Sequence, residues 1–217
     1  MKLNDDPSKR IVLRTAELPW ESSPVAGVRR RLLASDGGED ERATSIVRYE
    51  PGATFPSHPH PQGEEIVVLD GEFADEYGAY LAGTYIKNPP GSTHAPGSDA
   101  GCTLFVKRRY LEDHDSERVV VRPSYQQWRP GLISGLEVLA LDQFGATHTA
   151  LVRWAPGTSF GKHRHFGGEE IFVLQGTFQD ESGHYPTGTW IRSPHLSSHQ
   201  PLSDTGCLIF VKVGHLS

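Results

Sequence analysis

The stretch ATSIVRYEPGATFPSHPHPQGEEIVVLDGEFADEYGAY, residues 43–80, recurs as HTALVRWAPGTSFGKHRHFGGEEIFVLQGTFQDESGHY, residues 148–185. Laid over each other, the two put His58 on His163, His60 on His165 and Glu64 on Glu169. The register runs without a gap from Ala43 to Arg108. It carries His94 onto His199 and Cys102 onto Cys207, and about half of the aligned pairs are identical. Upstream, the copies return to register after a three-residue shift placed in the loop GGEDER, residues 37–42. Trp20 then meets Trp128, Gly27 meets Gly135, and SKRIVLR (8–14) meets SERVVVR (116–122). Surface loops absorb such insertions at little thermodynamic cost.

Each copy is roughly 105 residues long, which is the size of a domain and not of a solenoid repeat. The sequence therefore predicts two domains, residues 1–113 and 114–217. The polar, charge-rich run YLEDHDSE (110–117) joins them. Within each copy, short runs rich in β-branched and aromatic residues (IVLRT, SIVRY, EIVVL, TYIKN, TLFVK) alternate with Pro, Gly and Asp breaks. No amphipathic helical stretch of useful length interrupts them. Many short strands at regular spacing make an all-β sandwich or closed barrel. The expectation is two similar barrels packed against each other within the chain, with further homo-oligomerisation open.

Composition narrows the function classes. The 217 residues are 36% hydrophobic and 22% charged, with a net charge of −6. No basic stripe stands out beyond Arg29-Arg30-Arg31, so no nucleic-acid partner is expected. No apolar run approaches a membrane span, and MKLNDDPSKR has no apolar leader core. Two cysteines in this length fit a reducing, cytoplasmic setting without a disulfide.

The repeated histidines carry the chemistry. In the first copy, Gly52 is followed after five residues by His58-Pro59-His60, then by Glu64 and Gly71. Residues two apart on a strand face the same way, so His58 and His60 share a face, and Glu64 shares their parity across the turn-like Pro-Gln-Gly. Downstream, Gly83 leads to Pro89-Pro90-Gly91 and His94. That turn reverses the chain and returns His94 to the others. The second copy repeats this with His163, His165, Glu169 and His199. Three imidazoles and a carboxylate suit a borderline first-row dication, and the expectation is one per domain: zinc or iron first, nickel or manganese as alternatives.

These spacings resemble the two signature motifs of the cupin superfamily: Gly, five residues, His-x-His, three or four residues, Glu, six residues, Gly; then Gly, five residues, Pro-x-Gly, two residues, His. The first copy matches throughout. The second departs once, with Leu196 where the first has Gly91, which puts the geometry of that turn in question. The six-residue gap to Gly71 and Gly176 selects Glu64 and Glu169 over Glu65 and Glu170, which would face outward or support the first-ranked ligands. The longer run HRHFGGEEIFVLQGTFQDE (163–181), close to HPHPQGEEIVVLDGEFADE (58–76), resembles the ChrR-like cupin family, named for the C-terminal domain of zinc-dependent anti-sigma factors. The resemblance implies tandem cupin barrels of the double-stranded β-helix (jelly-roll) type, with ligands His58, His60, Glu64, His94 and His163, His165, Glu169, His199. Those anti-sigma factors add an N-terminal zinc module with a His/Cys cluster. Here no cysteine precedes Cys102, so sequestration of a sigma factor in that manner is not expected.

Other repeated residues read as structural. Cys102 and Cys207 open a late strand as small buried hydrophobes. Asp75-Glu76 and Asp180-Glu181 read as hairpin turns with a charged edge, and Phe73, Phe178, Tyr80 and Tyr185 as core or rim aromatics. His195 reads as an exposed turn residue. Tyr85 and Trp190 occupy equivalent positions and are expected, as a hypothesis, to line the two cavities differently. Two functional readings lead, beside a third in which the barrel is a structural metal site that stabilises a larger assembly. One is a ligand- or oxidant-responsive binding and regulatory protein. The other is a non-haem metal-dependent dioxygenase that cleaves a C–C bond in a small diketone or hydroxy-ketone. A small molecule is the expected partner of either.

Overall fold

A computed structural model describes residues 2–38 and 41–216. The tip of the loop at residues 39 and 40, where the length difference between the copies was placed, lies outside the described residues. Among the described residues there is no α-helix. Two ten-stranded sheets hold most of the chain, with one two-stranded ribbon accompanying each. The all-β expectation holds.

The chain forms two compact units, one made of residues 1–5 and 18–125 and the other of residues 6–17 and 126–217. In the first unit the main sheet orders its strands Val119–Val121, Tyr85–Asn88, Glu64–Asp75, Cys102–Arg108, Ala43–Tyr49, Val28–Ser35, Glu21–Ser22. The second unit's main sheet runs Ile11–Arg14, Thr189–Ser193, Glu169–Asp180, Cys207–Val213, Thr147–Trp154, Leu136–Phe144, Arg129–Pro130. The two orders correspond strand for strand except in origin. The first sheet's outer strand comes from the second copy (SERVVVR), and the second sheet's from the first copy (SKRIVLR). A single cut between residues 113 and 114 therefore follows the sequence repeat and not the compact units. The run 110–117 is also no loose tether: Asp115 is buried and accepts a 2.6 Å bond from Lys87 Nζ, and Leu111 is buried too.

One long strand builds each unit. The first half of Glu64–Asp75 pairs with Tyr85–Asn88 and Cys102–Arg108, while its second half pairs with Gly78–Leu81 and Gly97–Ser98. The register shifts between Thr103 and Leu104, where the strand passes from one layer to the other. Gly71 sits at that passage with φ of 75°, and a Cβ there would collide with the carbonyl of Gly101. Gly176 repeats this against Gly206. The cores fill the inner faces. Val28, Ile66, Phe73, Tyr80, Ile86 and Leu104 are among the residues clustered in the first unit. Leu136, Trp154, Ile171, Phe178, Ile191 and Ile209 do the same in the second. Among the described residues no helix is long and apolar enough to cross a membrane.

Candidate metal centre

In the first unit the short strand His58–His60 pairs antiparallel with Ser92–His94, which places His94 directly opposite His58. The alternation works as the two-residue spacing requires: Pro59 is exposed and His60 is buried. The Pro89-Pro90-Gly91 turn closes through Ser92 N to Pro89 O at 3.1 Å, with Gly91 at φ 79° donating 2.8 Å to His60 O. It thus delivers His94 to the pair. Glu64 enters from the long strand. The ring centroids of His58, His60 and His94 lie 4.7 to 5.2 Å apart, and Glu64 Oε2 is 3.7 Å from His60 Nε2 and 3.5 Å from His94 Nε2.

The second unit repeats the arrangement. Strand His163–Arg164 pairs with Ser198–His199 and sets His163 opposite His199. Ligand atoms of His163, His165, Glu169 and His199 all lie within 4.8 Å of one another, as do those of His58, His60 and His94 in the first unit. Leu196 adopts φ 63°, the left-handed conformation of Gly91, and its N–H bonds His165 O at 2.8 Å as Gly91 does to His60. The substitution leaves the turn intact. The neighbouring His195 is exposed and accepts a 2.9 Å bond from Gly167 N through Nδ1.

The electrostatics suit a cation. His60 Nε2, Glu64 Oε2, His165 Nε2, Glu169 Oε2 and His199 Nε2 are buried and make no hydrogen bond. Buried polar atoms are seldom left so, and here they converge on one point per unit, as a bound ion demands. His58 Nδ1 donates to Pro56 O at 2.9 Å, and His163 Nδ1 to Gly161 O at 3.0 Å, which leaves each Nε2 as a lone pair. Burial, reinforced by the neighbouring imidazoles, pulls His60 and His165 down to about 3, so both are neutral donors at physiological pH. Burial likewise raises Glu64, and raises Glu169 to about 7. That upward push reports a carboxylate stripped of water, the condition a dication relieves.

A second layer orients the imidazoles. His94 Nδ1 lies 3.4 Å from Asp75 Oδ2, and the Asp75 side chain is buried. Tyr80 Oη and Tyr77 N each donate to Asp75 Oδ1 at 2.9 Å, and Arg118 lies 3.5 Å from Oδ2. Asp180 faces His199 in the same way at 3.7 Å, taking Tyr185 Oη at 2.7 Å and Arg10 at 2.9 Å. Burial alone would raise these two carboxyls. The bonds from the histidine and tyrosine outweigh it, hold Asp75 below its ordinary value and bring Asp180 to about 2. Glu76 and Glu181 accept the backbone N–H of Ala95 and Gln200, the residues following His94 and His199. The Asp-Glu pairs do open hairpin turns, as the sequence suggested, and they also brace the last histidine. Their recurrence beside equivalent tyrosines, with an arginine matched in the two swapped strands, is the signal that could have revealed them.

Each cluster opens on a cavity, about 120 Å³ in the first unit and about 180 Å³ in the second. His58, Glu64 and His94 face the first, and His163, Glu169 and His199 the second. Tyr85 and Trp190 line neither. Tyr85 lies on the other face of its strand, donating 2.9 Å to Glu65 Oε1, and Trp190 is fully buried, so the expected difference between cavities does not come from them. Glu65 and Glu170 face away from the clusters, Glu170 toward His215 at 3.0 Å. Cys102 and Cys207 are buried free thiols, raised by burial to about 11.

Comparison with solved structures places the fold. A protein described as a putative dioxygenase from Nostoc punctiforme superposes with a TM-score of 0.81 at 16% identity, covering 95% of this chain and 83% of that one. A salicylate 1,2-dioxygenase variant from Pseudoaminobacter salicylatoxidans gives 0.71 at 14% identity over 97% and 85%. An oxalate decarboxylase from Lactobacillus farciminis, in complex with formate, gives 0.65 at 14% over 95% and 86%. At these identities the likeness is one of fold. No curated protein matches the chain. The sequence profile of the ChrR Cupin-like domain matches residues 8–112 and again 116–217, and with both copies so covered the chain belongs to that family.

Proposed function

We propose that the chain is a two-site metal-dependent protein in which each unit holds one divalent cation and presents it to a small molecule in the adjoining cavity. The residues that would hold the cation are His58, His60, Glu64 and His94 in one unit and His163, His165, Glu169 and His199 in the other. The carrying observation is the convergence of buried imidazole and carboxylate atoms without hydrogen-bond partners at the mouth of a cavity. When bound, a dication there supplies Lewis acidity and a template for oxygen ligands. The chain's own residues do the rest. Neutral imidazoles donate without first losing a proton, Asp75 and Asp180 fix the tautomer of His94 and His199, and in the second unit apolar walls exclude water. The primary reading is a binding and regulatory protein that responds to a small ligand or oxidant. A cytoplasmic setting fits its two buried free thiols.

A dioxygenase is the second reading, favoured by one observation: three of the four proposed ligand residues in each unit line a cavity with room for substrate. Cleavage would break one C–C bond of a diketone or hydroxy-ketone, with both oxygen atoms of O2 ending in the two carbonyl products. The test is cobalt(II)-loaded protein titrated with acetylacetone, followed by oxygen uptake by iron-loaded protein. A change in the cobalt spectrum without oxygen uptake supports the binding reading, and uptake matched to diketone loss supports the oxygenase. An unchanged spectrum contradicts both.

A further inference from the structure

The two cavities are built from the same strands and have diverged in charge. On the first unit's sheet the inward positions of Val28–Ser35 are Val28, Arg30 and Leu32, and Arg30 lies opposite Val47. In the second unit the residue opposite the equivalent Val152 is Val138. The inward series on Cys102–Arg108 ends with Arg108, which lies opposite Glu64. Its counterpart opposite Glu169 is Val213. Arg30 and Arg108 are therefore both among the residues lining the first cavity, whose one carboxylate is Glu64, whereas beyond its histidines and Glu169 the second is walled by apolar side chains. Arg108 also lies close enough to act electrostatically on both His60 and Glu64, which places its charge at the cluster.

We propose that the first unit is the anion-selective site of the chain, taking a small carboxylate whose charged end meets Arg30 and Arg108 and whose other oxygen faces the metal cluster, while the second unit takes neutral ligands only. The inference deepens the reading above and rests on it for the cation that faces the cavity. A guanidinium fork matches a carboxylate in planarity and donor spacing, which a single point charge would not. An unpaired carboxylate in the second cavity would be desolvated against apolar walls with only the metal to compensate it. A dication on three neutral imidazoles and one glutamate already leaves net positive charge. The two arginines add to it in the first unit alone, which favours an anion there over a neutral molecule of the same shape.

Pyruvate and 2,3-butanedione make the test, because they share the adjacent pair of oxygens and differ in carrying a carboxylate or a methyl ketone. Each is titrated calorimetrically into zinc-loaded chain, with metal content measured on the same samples. The expected result is one pyruvate per chain bound at least tenfold more tightly than butanedione. Arg30→Val with Arg108→Val, which install the second unit's residues, should lower pyruvate affinity roughly tenfold to a hundredfold with butanedione and metal content unchanged. Arg30→Gln is the milder variant should the double change disturb folding. It should weaken pyruvate about tenfold. Equal affinity for the two probes, or a pyruvate preference that survives the arginine substitutions, overturns the inference while leaving the metal reading intact. Arginine-dependent pyruvate binding to a chain that refuses metal overturns the metal reading and leaves the anion site standing.

Discussion

Replacing Asp75 with Asn separates orientation of the metal site from mere stability. Asp75 Oδ1 receives two short bonds, from Tyr80 Oη and Tyr77 N, so an asparagine keeps its carbonyl oxygen there. Its NH2 then occupies the place of Oδ2, which faces His94 Nδ1 and Arg118. An NH2 cannot accept from Nδ1–H. His94 must shift its proton to Nε2, the atom aimed at the cluster, or rotate away. The Asp75 side chain is shielded from solvent, so water is a poor substitute for the lost acceptor. Loss of such an orienting partner lowers metal affinity by typically ~10- to 100-fold, and the enforced tautomer change puts Asp75→Asn near the upper end, about 2.7 kcal/mol. The fold should suffer less. Arg118 is 30% exposed and can turn to solvent, so the stability cost should stay near ~1 kcal/mol. Competition for zinc against a chelating indicator resolves the two sites, and the second unit serves as an internal control. Weakening confined to one site carries the argument. A first-site affinity within about threefold of the parent, in a folded variant, refutes it.

Three further expectations follow from the same geometry. Because the outer strands are exchanged, Arg118→Ala should weaken the first unit's site and Arg10→Ala the second's, each by a few-fold; pairing by repeat, Arg10 with the first site, would contradict the swap as read. Leu196→Gly should leave zinc affinity at the second site unchanged within about threefold and stability within ~1 kcal/mol, since the relief of left-handed strain and the added freedom of the unfolded chain nearly cancel. A tenfold gain in zinc affinity would show that the leucine does distort the turn. In the metal-free chain, burial depresses His60 and His165 to about 3, so the unfolded state binds more protons below about 6.5 and stability falls with acid from there toward pH 3. Glu169, raised to about 7, contributes oppositely, its stabilisation present below 4.5 and lost as pH rises through 7. Asp75, held low, and Asp180, held near 2, lose stabilisation in the same direction as acid protonates them, so the histidine share is the part of the loss between pH 6.5 and 3 that disappears in His60→Ala/His165→Ala; an acid loss unchanged in that variant would show the assignment to be wrong.

The fold and the clusters were legible because they repeat. His58, His60, Glu64 and His94 recur as His163, His165, Glu169 and His199, and a two-residue spacing on a strand leaves little choice of face. The Pro-Pro-Gly turn returns His94 as its sequence implies. What escaped reading were long-range partners. That Ile11–Arg14 and Val119–Val121 trade places is invisible to an alignment in which the two segments are equivalent, because either assignment satisfies the same pattern. Asp75 and Asp180 passed for turn residues because Asp-Glu before a Gly hairpin is ordinary turn chemistry, and only burial against a histidine reveals the other role. Tyr85 and Trp190 misled because strand parity near a bend is hard to count. Leu196 looked like a defect because its side chain is rare at positive φ, yet at 47% exposure it finds room there.

Elemental analysis of protein purified without chelators or added metal counts the proposed metal centres. About two divalent ions per chain are expected, falling to about one in His58→Ala/His60→Ala with the second unit still filled. Zinc would favour the sensing role, and iron, nickel or manganese the oxygenase. Protein that emerges without metal and then refuses zinc, iron, nickel and manganese would contradict the account.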